Sequence, residues 1–212
     1  QRVATLDLGG GWPVDYIENS VPPIEDYAAR IVPLLAERVR GGLEILLEPG
    51  RSIVANAGIL LTRVQHLKHG RAKTFVICDG GMHTLLRPAL YRAFHFVWPA
   101  AWAGPTPRWL EDPGLPGLKR QDLVGPICET GDFLARDRAL PPIAQGDLVA
   151  VFSAGAYGIS MASNYNDHGR PAEVLVDGER VRLINARQSL AALLETERTP
   201  RELPLSPAPV SA

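Results

Sequence analysis

Two short apolar runs, residues 3–8 and 43–47, bracket a stretch in which Ile24, Tyr27, Ala28, Ile31, Leu34, Leu35 and Val39 recur at helical spacing. No other pattern constrains the fold as strongly. Strand, helix, strand in that order calls for two parallel strands joined by a right-handed crossover. Pro33 sits inside the helical pattern, lacks an N–H to donate, and is expected to kink or break the helix.

After Arg51 the pattern changes. Ser52 is placed to cap a short helix reaching Ala57. Strand-like runs then follow at 59–67, 73–78, 94–98, 122–128 and 147–152. Runs 173–176 and 179–183 are joined by Asp177-Gly178, a strong hairpin signal, and a short amphipathic helix is expected over 189–194. An α/β piece followed by a β-rich piece reads as two domains meeting near residue 52.

Both early strands end in turns suited to an anion. The first ends in Gly9-Gly10-Gly11, where a backbone without Cβ atoms can approach a ligand closely. The second ends in Glu48-Pro49-Gly50-Arg51, which puts a carboxylate, a tight turn, a guanidinium and a helix N-terminus together. Free N–H groups and the helix dipole there favour a phosphate. An ordinary strand-to-helix turn uses the same residues, so on these alone both readings stay open.

Further along, Arg87-Pro88-Ala89-Leu90-Tyr91 fits a helix with Pro88 in its first turn. Arg87 and Tyr91 would then lie four apart and could address one ligand, the planar guanidinium matching a carboxylate. An Arg stem packed over an aromatic is the alternative. Cys128-Glu129 is expected to end a strand ahead of Thr130-Gly131-Asp132, whereas Cys78, in mid-strand, reads as buried and structural. Gly155-Ala156-Tyr157-Gly158 is a small-residue loop after a strand, and Tyr157 could equally be a core aromatic in a turn. His66 and His69 fall on opposite faces of their strand with no third ligand in reach, so no metal site is expected.

The bulk numbers exclude some partners. A formal net charge of −1 supplies no field to recruit nucleic acid or an anionic membrane. The one basic cluster, from Arg63 to Lys73, reads as a solvated turn. Apolar runs stop short of the ~18 residues a membrane span needs. Two cysteines make no disulfide framework, which suggests a reducing, cytoplasmic compartment. Residues 196–212, rich in proline and poor in apolar residues, are expected to be a disordered tail.

Taken in order, LDLGGG, EPGRSIVANAG, CDGGMHTLLRPALYRAFH, GPICETGD and GAYGISMASNYN resemble the C-terminal half of the fold-type III pyridoxal-phosphate decarboxylases, most closely their diaminopimelate-cleaving branch. The resemblance runs from about Val3 to about Glu195. It implies that residues 1–51 are the last β/α units of a cofactor-binding TIM-type (β/α)₈ barrel and that 52–195 are a C-terminal antiparallel β-barrel or sandwich domain. It also implies pyridoxal 5'-phosphate as cofactor, contacted by Gly11, Glu48, Pro49, Gly50, Arg51 and Tyr157, with Glu48 on the pyridinium nitrogen. Arg51, Arg87, Tyr91, Glu129 and Tyr157 would bind an amino-acid substrate, Glu129 taking its distal ammonium and the two arginines and Tyr91 its distal carboxylate. Cys128 would protonate the carbanion. In this family Cys128 and Glu129 reach across a homodimer interface. Thr130 departs conservatively from the usual Cys-Glu-Ser.

The Schiff-base lysine of the family is not matched by Lys68, Lys73 or Lys119, none of which ends an early barrel strand. That lysine and an N-terminal barrel half are expected upstream of Gln1, so this chain alone is expected to be inactive. The implied reaction is decarboxylation of meso-diaminopimelate to L-lysine. Two alternatives remain: another decarboxylase of this fold, of the ornithine, arginine or carboxynorspermidine type, or a non-catalytic paralogue acting through its dimer surface.

Overall fold

The computed structural model describes residues 3–18 and 20–197. Strands β1 (Thr5–Asp7) and β2 (Glu44–Leu46) pair in parallel, Leu6 opposite Ile45, and helix α1 (Ile24–Arg40) connects them. The β-α-β unit is therefore present, with strands shorter than the apolar runs. Glu25 and Asp26 in the first turn of α1 and Arg38 and Arg40 in the last suit its dipole. Pro33 does not break the helix. It removes one N–H bond from a long helix whose remaining turns stay bonded. At the other end Leu43 donates to the Arg38 carbonyl at 2.9 Å across Gly42, whose φ of 92° only glycine adopts freely.

Helix α2 (Gly50–Val54) starts earlier than expected, with Pro49 rather than Ser52 at its cap. The Ser52 hydroxyl lies within the first turn and donates to the Pro49 carbonyl at 2.8 Å.

From Leu60 onward the chain builds a six-stranded sheet. Its strands are β3 (Leu60–His69), β4 (Thr74–Cys78), β5 (Val97–Pro99), β6 (Lys119–Val124), β7 (Phe133–Leu140) and β8 (Leu148–Val151), in the order β5-β8-β3-β4-β6-β7. Neighbours are antiparallel except β4 and β6, so the sheet is mixed rather than wholly antiparallel. Two elements differ from the sequence reading. Strand β6 ends at Val124, which leaves Cys128 in the following turn and not at a strand end. Strand β7 carried no clear signal because its alternation is interrupted: Leu134-Ala135 and Arg138-Ala139-Leu140 are buried on either side of exposed Arg136-Asp137. The register shifts there and Asp137 takes a φ of 52°, the marks of a bulge.

The core lies within this sheet. Val64, Val76, Leu85, Leu123, Val149 and Val151 are essentially inaccessible, and Phe96 stacks between Trp98 and Trp109 at 5.7 and 5.9 Å. Burying each such side chain stabilises by about 1.5–3 kcal/mol. Cys78 closes β4 instead of sitting mid-strand, and burial pushes its thiol up to about 12, so it is the inert cysteine of the pair. By contrast, α1 buries none of its residues, and Val32 and Leu34 are exposed.

One compact unit extends to Arg170 and a second begins at Pro171. The second holds the expected hairpin, β9 (Glu173–Asp177) and β10 (Arg180–Asn185), turning at Gly178 with φ 59°. It also holds α4 (Leu190–Leu194), capped by Ser189 Oγ accepting from the Ala192 amide at 3.1 Å. Residues 198–212 of the expected tail lie outside the described residues.

Candidate active site

Parallel pairing of β1 and β2 carries both of their C-terminal ends to the same edge. The Leu8 amide donates to the Leu46 carbonyl at 3.0 Å and the Glu48 amide to the Gly9 carbonyl at 2.9 Å. Gly9-Gly10-Gly11 therefore lies directly beside Glu48-Pro49-Gly50. Asp7 Oδ1 accepts from the Gly9 amide at 2.8 Å and shapes the turn. A Cβ on Gly10 would stand 3.1 Å from the Glu48 carbonyl, while the space beside Gly11 and Gly50 is open. The Glu48 carboxylate is exposed and, among the described residues, has no partner.

A second seam joins α2 to the loop after β8. Ala154 donates to the Gly58 carbonyl at 2.8 Å, Gly155 to the Ala55 carbonyl at 3.0 Å, and Ser153 Oγ to Asn56 Oδ1 at 2.7 Å. The approach is close enough that a Cβ on Gly155 would fall 1.9 Å from the Val54 carbonyl. Arg51 at the start of α2 and Tyr157 beyond Gly155 are thus held on two sides of one junction. Tyr157 is half exposed and takes a φ of 59°, so it is a loop aromatic and not part of the core.

Helix α3 (Arg87–Tyr91) forms as its spacing predicts, with Pro88 in the first turn. Its two polar ends sit in different surroundings: Arg87 is 8% exposed and Tyr91 62%. Arg92, in the left-handed conformation at φ 53°, ends the helix and turns the chain so that His95 returns to Arg87. Arg87 Nη1 donates to His95 Nε2 at 2.9 Å, and its guanidinium carbon lies 4.5 Å over the Tyr16 ring. Among the described residues no carboxylate pairs with Arg87 or Arg51.

Tyr16 links these parts. Burial raises its hydroxyl above the ordinary tyrosine value, Arg87 and then Arg51 pull it down, and Tyr157 pushes it up. Arg51, Arg87 and Tyr157, from three distant stretches of chain, therefore converge electrostatically on one ring. The Tyr16 hydroxyl is buried and, among the described residues, has no hydrogen-bond partner. Sequence reasoning missed both Tyr16 and His95. His95 stood within a motif already singled out, but nothing in its spacing marked its role. Tyr16 follows the glycine turn in irregular chain, where periodicity carries no signal.

Cys128 and Glu129 occupy an exposed turn between β6 and β7. Asp132 anchors it, its Oδ2 accepting from the Ile127 amide at 2.6 Å and its Oδ1 from the Met82 amide at 2.7 Å. Gly81 and Gly125 leave room for this carboxylate, since a Cβ on either would lie 2.3 and 2.5 Å from its oxygens. Among the described residues no contact joins Cys128 or Glu129 to Glu48, Arg51, Arg87 or Tyr157. Of the predicted site residues, Arg51, Arg87 and Tyr157 act on Tyr16, Glu48 stands beside the glycine turn, Tyr91 is exposed, and Cys128 and Glu129 form a separate exposed pair.

Residues 14–155 match the family model described as the C-terminal sheet domain of pyridoxal-dependent decarboxylases. The chain is 51% identical over 193 residues to diaminopimelate decarboxylase of Pseudomonas aeruginosa, covering 91% of this chain and 43% of that protein. It is 46% identical to the same enzyme of Neisseria meningitidis, covering 91% and 44%. Among solved structures, diaminopimelate decarboxylase from M. jannaschii in complex with L-lysine superposes with a TM-score of 0.81 at 33% identity, covering 94% of this chain and 44% of that one. The chain thus spans less than half the length of the curated relatives it matches. With a six-stranded mixed sheet where the family model lies and the family's motifs on its loops, the chain belongs to the pyridoxal-dependent decarboxylases, of which it carries the C-terminal sheet domain.

Proposed function

We propose that this chain supplies the substrate-gripping part of a pyridoxal-phosphate-dependent diaminopimelate decarboxylase, which converts meso-diaminopimelate to L-lysine and CO₂. The observation that carries this reading is Arg87. Among the described residues this buried guanidinium meets a neutral imidazole and an aromatic face and no carboxylate, whereas buried charges are ordinarily paired. An anionic ligand group completes it. Diaminopimelate offers a second carboxylate at the end that does not react, whereas ornithine offers an ammonium there. The names of the relatives support the same choice.

The adjoining strand ends fit the cofactor. Open space at Gly11 and Gly50, together with the unbonded first-turn amides of α2, suits a phosphate, and Arg51 adds charge. Among the described residues the Glu48 carboxylate is unpartnered and would suit a protonated ring nitrogen, Pro49 sets the turn beside it, and Tyr157, on the loop joined to α2, would add a further contact. Pyridoxal phosphate, when bound, accepts the electron pair left as the carboxylate departs.

The residues of the chain do the rest. Arg87, with Arg51 and Tyr91, holds the distal carboxylate, and Glu129 the distal ammonium. Cys128 donates the proton that replaces CO₂ at Cα. Because Cys128 and Glu129 stand apart from the arginines, the reading places them in the site of a second protomer, in a homodimer. Residues 1–51 then close a barrel begun by an N-terminal half, and 52–195 form the β-domain. We place the enzyme in the cytoplasm. No described helix is long and apolar enough to cross a membrane.

The test is CO₂ release by the complete protein with pyridoxal phosphate on meso-diaminopimelate, ornithine, arginine and carboxynorspermidine. Preference for any substrate that lacks a distal carboxylate would overturn the assignment, and no turnover of any of them would favour a binding paralogue.

A further inference from the structure

Arg87 and Arg138 are equally buried, at 8% exposure, and both lie against an aromatic ring: Tyr16 at 4.5 Å and Phe94 at 4.1 Å. They differ in what faces the guanidinium edge. Arg138 meets the Glu111 carboxylate at 2.9 Å, the usual way to settle a buried cation. Arg87 meets a histidine. His95 is fully buried, and its Nδ1 stands 2.9 Å from the Phe152 carbonyl while its Nε2 stands 2.9 Å from Arg87 Nη1.

These two neighbours determine the state of the ring. A carbonyl cannot donate, so Nδ1 must carry the hydrogen. A guanidinium cannot accept, so Nε2 must present its lone pair. Both requirements select the same neutral tautomer, and a second proton would set N–H against N–H between two cations. Burial lowers its value to about 4; the Phe152 contact pulls the other way, and Arg87 and then Arg138 add smaller downward pulls. The ring is itself fixed by Tyr16, whose plane meets it edge-on at 5.2 Å.

We propose that His95 and Tyr16 are positioning residues that lock the Arg87 guanidinium in one orientation without neutralising it, and so set the enzyme's selectivity for a substrate with a distal carboxylate. A carboxylate in place of His95 would orient Arg87 equally well but cancel the charge. An imidazole acceptor supplies direction alone. This inference rests on the proposed decarboxylase reading and assigns roles that the reading does not need.

The test uses the complete enzyme with its cofactor, as wild type and as His95→Leu, His95→Gln, Tyr16→Leu and Arg87→Met. Two readouts are taken: kcat and KM for meso-diaminopimelate, and equilibrium binding of L-lysine, whose carboxylate is the distal one of the substrate. His95→Leu should raise KM and the L-lysine Kd by about ten- to a hundred-fold, the range for losing a hydrogen bond to a charged group, with kcat nearly unchanged. The amide oxygen of His95→Gln can still accept from Arg87 and should restore most of that loss. Tyr16→Leu removes the ring and should weaken both readouts in the same sense as His95→Leu, and His95→Leu should add nothing in an Arg87→Met background. Equal loss in the Leu and Gln variants, a fall in kcat with KM unmoved, or full additivity with Arg87→Met would overturn the positioning role. A wild type that turns over ornithine instead would sink the diaminopimelate assignment itself, and the inference with it.

Discussion

At the scale of single residues, the two arginines of the core show how one chemistry serves two ends. Arg138 is settled by Glu111, whereas Arg87 meets a neutral imidazole and, on the proposed reading, keeps its charge for a ligand. In the complete enzyme Arg87→Met should lower kcat/KM for meso-diaminopimelate by about 30-fold or more, since losing one partner of a buried charge pair costs about 2–5 kcal/mol. Slow turnover of lysine, with no distal carboxylate when it reacts at its own Cα, should barely change. If both substrates suffer equally, Arg87 is holding the fold and not the ligand. Cys128 offers the opposite case, an exposed thiol that packs against nothing in the core. Cys128→Ala should lower turnover by about 10²–10⁴-fold, the usual worth of general acid catalysis, while the unfolding midpoint stays put because surface changes typically fall within about 0.5 kcal/mol. Unimpaired turnover would return the residue to an ordinary surface cysteine.

At the scale of elements, the candidate site depends on two junctions, one of backbone on backbone and one of a carboxylate on backbone amides. Gly155 lets the loop after β8 press onto the end of α2, and any Cβ there would collide with the Val54 carbonyl. Gly155→Ala must displace that seam, which overpacking data put at about 1–3 kcal/mol. For a chain of this size that is roughly 2–4 °C of Tm per kcal/mol, readable by calorimetry. An unshifted Tm would show the seam to be soft. The turn bearing Cys128 is held by the Asp132 carboxylate on the Ile127 and Met82 amides. Asp132→Ala should leave both amides buried without an acceptor and speed their hydrogen exchange, alongside a loss of about 1–3 kcal/mol. Unchanged protection of those amides would mean that the turn is held by other contacts.

At the scale of the whole molecule, buried neutral histidines make folding sensitive to acid. Burial lowers His95 to about 4, against 6.5 when unfolded, and lowers His83 to about 4 with help from His168. The folded values lie below the unfolded ones, so the unfolded chain binds protons that the folded chain refuses. The resulting stability is fully present above about pH 6.5 and is lost as pH falls towards 4, by at most about 3 kcal/mol for His95. Asp132, raised by burial, works in the opposite sense. Urea unfolding between pH 7 and 4 should show this decline, with a shallower slope for His95→Gln. Identical slopes would mean that His95 titrates normally in the folded state.

Local order determined what could be read directly from the sequence. Apolar runs at strand and helix spacing exposed the β-α-β unit, Asp177-Gly178 exposed the hairpin, and Pro88 marked α3, because each depends on neighbours a few residues away. Contiguous motifs likewise marked Glu48, Arg51, Arg87, Cys128 and Tyr157. Strand β7 stayed hidden because its bulge breaks the period of two that marks a strand. Tertiary structure alone decided that Arg87 is buried while Tyr91 is not, and that its partners are neutral. It also decided that Tyr16 and His95, the latter held by the Phe152 carbonyl, come from separate stretches of chain to enclose it. The reason is physical: the state of a buried charge depends on every group packed around it, and those groups become neighbours only when the sheet has brought distant strands together.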